Sequence, residues 1–164
     1  MGKAVFLARA AFLIVTILLI AGIANAFYQE YFVVHYNFDR KIGDLFDLAD
    51  KTSDACTKAK FFDQFISALK ENDLDKGPSS IFFQERTTAR LEHNFRVALS
   101  LQDRLHTLCS MDTKSSEYQF GMSQVTLQEF CWFPLDTFYR AYALKNGIWW
   151  QALFPSEVYN RCAD

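Results

Sequence analysis

Twenty consecutive residues without a charge, Ala10 to Gln29 (AAFLIVTILLIAGIANAFYQ), constrain this chain more than any other feature. As a helix they extend about 30 Å, the thickness of a bilayer's hydrocarbon core. The candidate anchor residues are Phe12, Leu13, Ile14, Val15, Ile17, Leu18, Leu19, Ile20 and Ile23, with Phe27 close behind. At roughly −0.3 to −0.6 kcal/mol each near the bilayer centre, these ten favour insertion by about 3 to 6 kcal/mol. Thr16 can bond back to its own helix, and Gly22 and Asn25 lie toward the outer end, where a polar group costs less. Phe27, Tyr28, Tyr31 and Phe32 follow as an aromatic belt for the far interface.

A cleaved signal peptide has the same outline. Lys3 and Arg9 would form its n-region, and Ala24-Asn25-Ala26 a small-x-small site with cleavage after Ala26. We read the segment as a retained signal-anchor, because apolar and aromatic character continues past that site to Tyr36. On either reading the basic residues stay in the cytoplasm and the rest of the chain crosses to the periplasmic or extracellular side. The expected division is a cytoplasmic stub (1–9), a transmembrane helix (10–29), an extracytoplasmic helical domain (30–147) and an aromatic C-terminal tail (148–164). No cysteine lies near the apolar run, so nothing supports a lipoprotein anchor.

All 19 acidic residues lie beyond Gln29, whereas two of the 17 basic ones, Lys3 and Arg9, precede it. The domain is therefore mildly acidic, which argues against nucleic acid and against a polybasic lipid-binding patch. The four cysteines, Cys56, Cys109, Cys131 and Cys162, form no close pair of the metal or redox kind. An even number outside the cytoplasm suggests two disulfides. Antiparallel helices would bring Cys56 to Cys109, leaving Cys131 for Cys162.

Beyond the anchor the periodicity is helical throughout, and the expected fold is all-α. The transmembrane helix should continue into a small antiparallel bundle of three or four helices, followed by the aromatic tail. Phe38, Ile42, Leu45, Phe46 and Ala49 recur at steps of three and four, so the anchor helix should run on above the bilayer. The polar stretch at 50–53 contains N-cap types and could end that helix, yet the apolar phase persists across it to Leu69, which leaves a single helix to about Glu71 open. Gly77-Pro78 breaks the chain. Thr87 or Thr88 is the expected N-cap of a helix carrying Leu91, Phe95, Ala98, Leu101, Leu105 and Leu108. A last helix from about Ser116 should be interrupted at Pro134 and stop at Asn146-Gly147.

No catalytic pattern stands out, and no enzyme activity, metal or cofactor is expected. His35, His93 and His106 are too far apart for a shared site on one helix, and there is no H-E-x-x-H or di-iron E-x-x-H pair. Phosphate loops, nucleophile elbows and haem-attachment motifs are also missing. His35, among apolar neighbours near the outer interface, is the best placed residue for non-covalent haem or pigment ligation, though an interfacial structural histidine is the plainer reading. The aromatic residues Trp132, Phe133, Phe138, Tyr142, Trp149, Trp150 and Phe154 are too many for so small a core. They are the candidate interface, facing protein partners or the lipid headgroups, unless they cap the open end of the domain. The expected function is a non-catalytic accessory or structural subunit of a membrane assembly, in contact with membrane lipid and with other subunits or copies of itself. A ligand-sensing bundle that acts through a partner and a secreted protein released by cleavage are the alternatives.

Overall fold

A computed structural model describes residues 2–76 and 84–148, and every regular element among them is a helix. The first, α1, starts at Gly2 and stays helical to Lys51. Its α-helical parts Gly2–Tyr28, Tyr36–Phe38 and Asp44–Lys51 are joined by π-helical turns at Gln29–His35 and Asp39–Gly43. The wider turns have a physical reason. The buried positions Val34, Phe38, Ile42 and Phe46 follow one another at steps of four, longer than the 3.6 residues of an α-helical turn. Widened turns absorb the excess and keep the seam on one face.

The helix stops where the backbone turns extended at Thr52 (φ −80°, ψ 131°). Asp54, also extended, then caps α2 (Ala55–Glu71) by accepting from the Thr57 amide at 2.7 Å. Hydrogen bonding from the Thr57 side chain, and next from its amide, holds the Asp54 carboxyl below its ordinary pKa. The polar stretch at 50–53 is therefore a break, and the single helix to Glu71 is not formed. The third helix, α3 (Gln84–Cys109), begins before Thr87 and Thr88. Neither is its N-cap, because the helix is already under way three residues earlier. After a polar turn come α4 (Ser116–Gln124), capped by Ser115, a π turn at Val125–Glu129, and α5 (Leu135–Lys145) beyond Pro134.

Ala49 and Asp50, near the end of α1, meet Lys58 in the first turn of α2, while Phe46 meets Phe62 and Phe65 further along. These two helices thus run in opposite directions. The same reversed order links α2 to α3, through Cys56 with Cys109 and Asp63 with Gln102 and His106. Where α4 crosses α3, a Cβ on Gly121 would come within 2.5 Å of Leu108 Cδ2, so any larger residue would force the Leu108 side chain to move. Phe46 sits at the middle of the core, its ring 4.7 to 6.3 Å from those of Phe62, Phe65, Phe130 and Phe133.

Lys58 is a fully buried cation inside this apolar cluster. Its Nζ donates to the carbonyls of Ala49 (2.6 Å) and Asp50 (2.9 Å), and lies 4.3 Å from the Phe130 ring centroid. A helix leaves its last carbonyls without partners and carries partial negative charge at that end. Lys58 meets both needs at the end of α1, with a cation–π contact in addition. Burial holds its pKa below the usual lysine value, and the nearby Asp50 offsets part of that shift.

In the same first turn of α2, the Cys56–Cys109 disulfide ties the helix to the end of α3 across a sequence separation of 53. Cys131 is also disulfide-bonded, and its expected partner Cys162 lies outside the described residues.

Two stability predictions follow from these ties. Lys58→Met keeps the stem but orphans two carbonyls, and should lower unfolding free energy by about 2–3 kcal/mol. The exposed neighbour change Lys60→Met should stay within about 0.5 kcal/mol. Urea unfolding in mild detergent checks both, and equal midpoints for the two variants would refute the helix-end role of Lys58. Replacing Cys56 and Cys109 together by Ala should cost about 4 kcal/mol by loss of loop constraint, read from the same titration.

Candidate functional site

Among the described residues, two surfaces are considered against an ordinary polar exterior. The first is the apolar length of α1. Phe12, Leu13, Ile14, Val15, Ile17, Leu18, Leu19, Ile20 and Ile23 are all exposed, as are Phe27, Tyr28, Phe32 and Tyr36. These residues surround the helix, so no single packing face against the domain would cover them. Thr16 removes its own polar cost by donating its hydroxyl to the Phe12 carbonyl at 2.9 Å. Alone among the described helices, α1 is long and apolar enough to cross a membrane.

The second surface is an open cleft of about 300 Å³ between α3 and the connection from the Val125–Glu129 turn to α5. Val97, Leu101, Phe133 and Pro134 supply apolar walls, with Ser100, Arg104, Glu129 and Trp132 completing the lining. Arg104 and Glu129 pair with each other, which leaves neither charge to seek a partner elsewhere. The Trp132 ring is 72% exposed and Val97 41% exposed, large apolar groups on the rim of an apolar hollow. Ser100 is the lining residue able to act as a nucleophile, but no histidine or second carboxylate lies beside it in the lining.

The aromatic residues singled out from the sequence divide sharply. Trp132 faces solvent, whereas Phe133, Phe138 and Tyr142 are buried. Phe133 packs on Phe46 and Phe65, Phe138 on Phe65 and Phe133, and Tyr142 on Phe38. All three side chains are part of the core; Phe138 and Tyr142 are carried by α5, and Phe133, just before Pro134, also forms a wall of the cleft. Trp149, Trp150 and Phe154 lie outside the described residues. Val97, with its partners Ser100 and Arg104, escaped the sequence reading. The available signal was its place on the polar flank of α3, an exposed β-branched residue four positions before Leu101.

The histidines are dispersed. His35 sits edge-on to Tyr139 with a ring separation of 5.4 Å and places Nε2 3.4 Å from Asp39. His106 joins Gln102 on Asp63, a polar clasp between α2 and α3. His93 is exposed on α3. Among the described residues, no group of three or more His, Cys, Asp or Glu side chains is placed to hold a metal ion. No protein-family model, curated protein or solved structure matches this chain.

Proposed function

We propose that the protein is a single-pass, membrane-anchored, non-catalytic subunit of a membrane or extracytoplasmic assembly. In this reading α1 spans the bilayer through residues 10–29, with the stub at 1–9 in the cytoplasm. The helices from 30 to 147 form a small antiparallel bundle on the other side, braced by disulfides. The observation that carries the reading is the unburied apolar surface around α1. Nine Leu, Ile, Val and Phe side chains exposed together would be a severe aggregation liability in water, but they match the hydrocarbon of a bilayer.

The partner-facing surface in this proposal is the Val97–Trp132 cleft. An exposed Trp beside a small apolar hollow has the composition of an interface centre. The paired Arg104 and Glu129 would serve as its polar rim. Continuity of α1 from the apolar run into the core supports a fixed placement of that cleft relative to the membrane.

Purification from native membranes in mild detergent tests the proposal. The chain should be recovered at fixed stoichiometry with one or more partners, or as a defined oligomer of itself. Trp132→Ala combined with Val97→Asp should reduce that recovery about tenfold, the effect of losing a central contact of roughly 1.4 kcal/mol or more. A monodisperse free monomer, or unchanged recovery of the double variant, would contradict the assignment.

A further inference from the structure

The π turns that keep the core seam of α1 in register do the same for a second row, on the side away from the core. Tyr28, Phe32, Tyr36 and Arg40 follow one another at steps of four, and all are exposed. The Tyr28 and Phe32 rings stack with centroids 5.5 Å apart. Beyond them the Arg40 guanidinium carbon lies 5.7 Å from the Tyr36 ring centroid, and Arg40 Nη1 donates to the Tyr36 hydroxyl oxygen at 3.0 Å. The row begins as rings at the end of the uncharged run and finishes in a cation.

Arg40 forms no ion pair among the described residues. Its neighbour Asp39 meets His35 at 3.4 Å. Asp44 stands at the i,i+4 position where a helical ion pair is common, yet the guanidinium leans the other way, toward Tyr36 and the apolar run. A guanidinium carries five N–H donors, and Tyr36 accepts from one nitrogen. Because the Tyr36 oxygen is the acceptor, its own hydrogen is left to donate. Donors that converge beside a positive charge with no carboxylate on it suit a phosphate.

The height of the pair suits the same ligand. Tyr36 stands seven residues above Gln29, the last residue of the uncharged run, which is about 10 Å of helix. The headgroup region adds roughly 5–7 Å beyond the hydrocarbon on each side of a bilayer. Helical side chains lean toward the N-terminus, which brings the Tyr36 hydroxyl and the Arg40 guanidinium down over the remaining few ångströms. Below them, Phe32 and Tyr28 continue the row into the depth of the acyl chains.

We propose that Tyr36 and Arg40 bind the phosphate of an anionic phospholipid in the leaflet nearest the domain, with an acyl chain of that lipid lying along Phe32 and Tyr28. The inference rests on the reading that α1 spans the bilayer. It needs no polybasic patch, because one guanidinium positioned by a tyrosine acts through geometry rather than through the number of charges. Bound there, the lipid fixes the height of the domain above the membrane surface.

Native mass spectrometry of the full-length chain in mild detergent, with phosphatidylglycerol added, provides the test. The unmodified chain should retain one phosphatidylglycerol. Arg40→Gln should weaken retention about tenfold, the scale of a hydrogen-bonded charge, and Tyr36→Phe about threefold. Lys41→Gln removes another exposed cation, one position off the row, and should leave retention unchanged. All three side chains are exposed, so these variants keep the core intact. Equal retention by Arg40→Gln and the unmodified chain would overturn the inference. So would an equal loss in Lys41→Gln, which would mean diffuse attraction to charge. Glycerol phosphate, with the same phosphate and no acyl chain, should bind at least about tenfold more weakly; binding as tight as the lipid's would refute the lipid assignment.

A fluorescence probe isolates the premise, with Leu18→Trp placed in a chain carrying Trp132→Phe, Trp149→Phe and Trp150→Phe. Its quenching in vesicles of phosphatidylcholine brominated near the bilayer centre keeps the spanning helix, so a failed lipid titration then counts against Tyr36 and Arg40 alone. If the deep bromine misses the probe, the spanning helix falls and the lipid site falls with it.

Discussion

The contact between Lys58 and the end of α1 is the joint on which the rest of the domain depends. A buried ammonium is costly unless its charge is met, and here two backbone carbonyls, the negative end of a long helix and an aromatic face meet it together. The contact ends α1 at a fixed point and sets the direction in which α2 returns. With that direction set, Phe46 is surrounded by Phe62 and Phe65 from α2 and by Phe130 and Phe133 from beyond α4. The disulfide at Cys56 and Cys109 then holds the opposite edge of α2 against α3. Charge, packing and covalent constraint meet within the first turn of one helix.

Much of this was legible in the chain itself. The uncharged run at 10–29, the helical phase of Leu91 to Leu108, the interruption at Pro134 and the stop at Asn146-Gly147 each depend on local chemistry that a sequence displays. The π turns in α1 were harder to see, because a series of four-residue steps resembles ordinary helical spacing until its drift is followed over several turns. Lys58 was hidden for a different reason. A lysine on an apolar face looks like a long side chain reaching toward solvent, and only the spatial return of α2 onto the end of α1 supplies carbonyls for it. The break at 50–53 was ambiguous because the apolar phase runs through it, and Asp54 decided it as a cap.

The aromatic region shows where counting rings misleads. Phe133, Phe138 and Tyr142 all pack within one Phe-rich core. The ring left outside, Trp132, owes its exposure to the turn between Phe130 and Pro134, whose geometry no periodicity encodes. Val97 became part of the same surface through a meeting of α3 with that turn. Elements far apart in sequence thus form the cleft, while the apolar length of α1 is a single local run. This difference explains why a helix long and apolar enough to cross a membrane could be read directly and the cleft could not.

The reading of the protein as an anchored subunit stands first on the fate of residues 1 to 26. Intact-mass measurement of the chain recovered from alkali-washed native membranes addresses it most directly. Full-length protein in the washed membrane fraction is expected. A soluble species beginning at Phe27 would show that the segment is a signal peptide, and the membrane anchor would have to be abandoned.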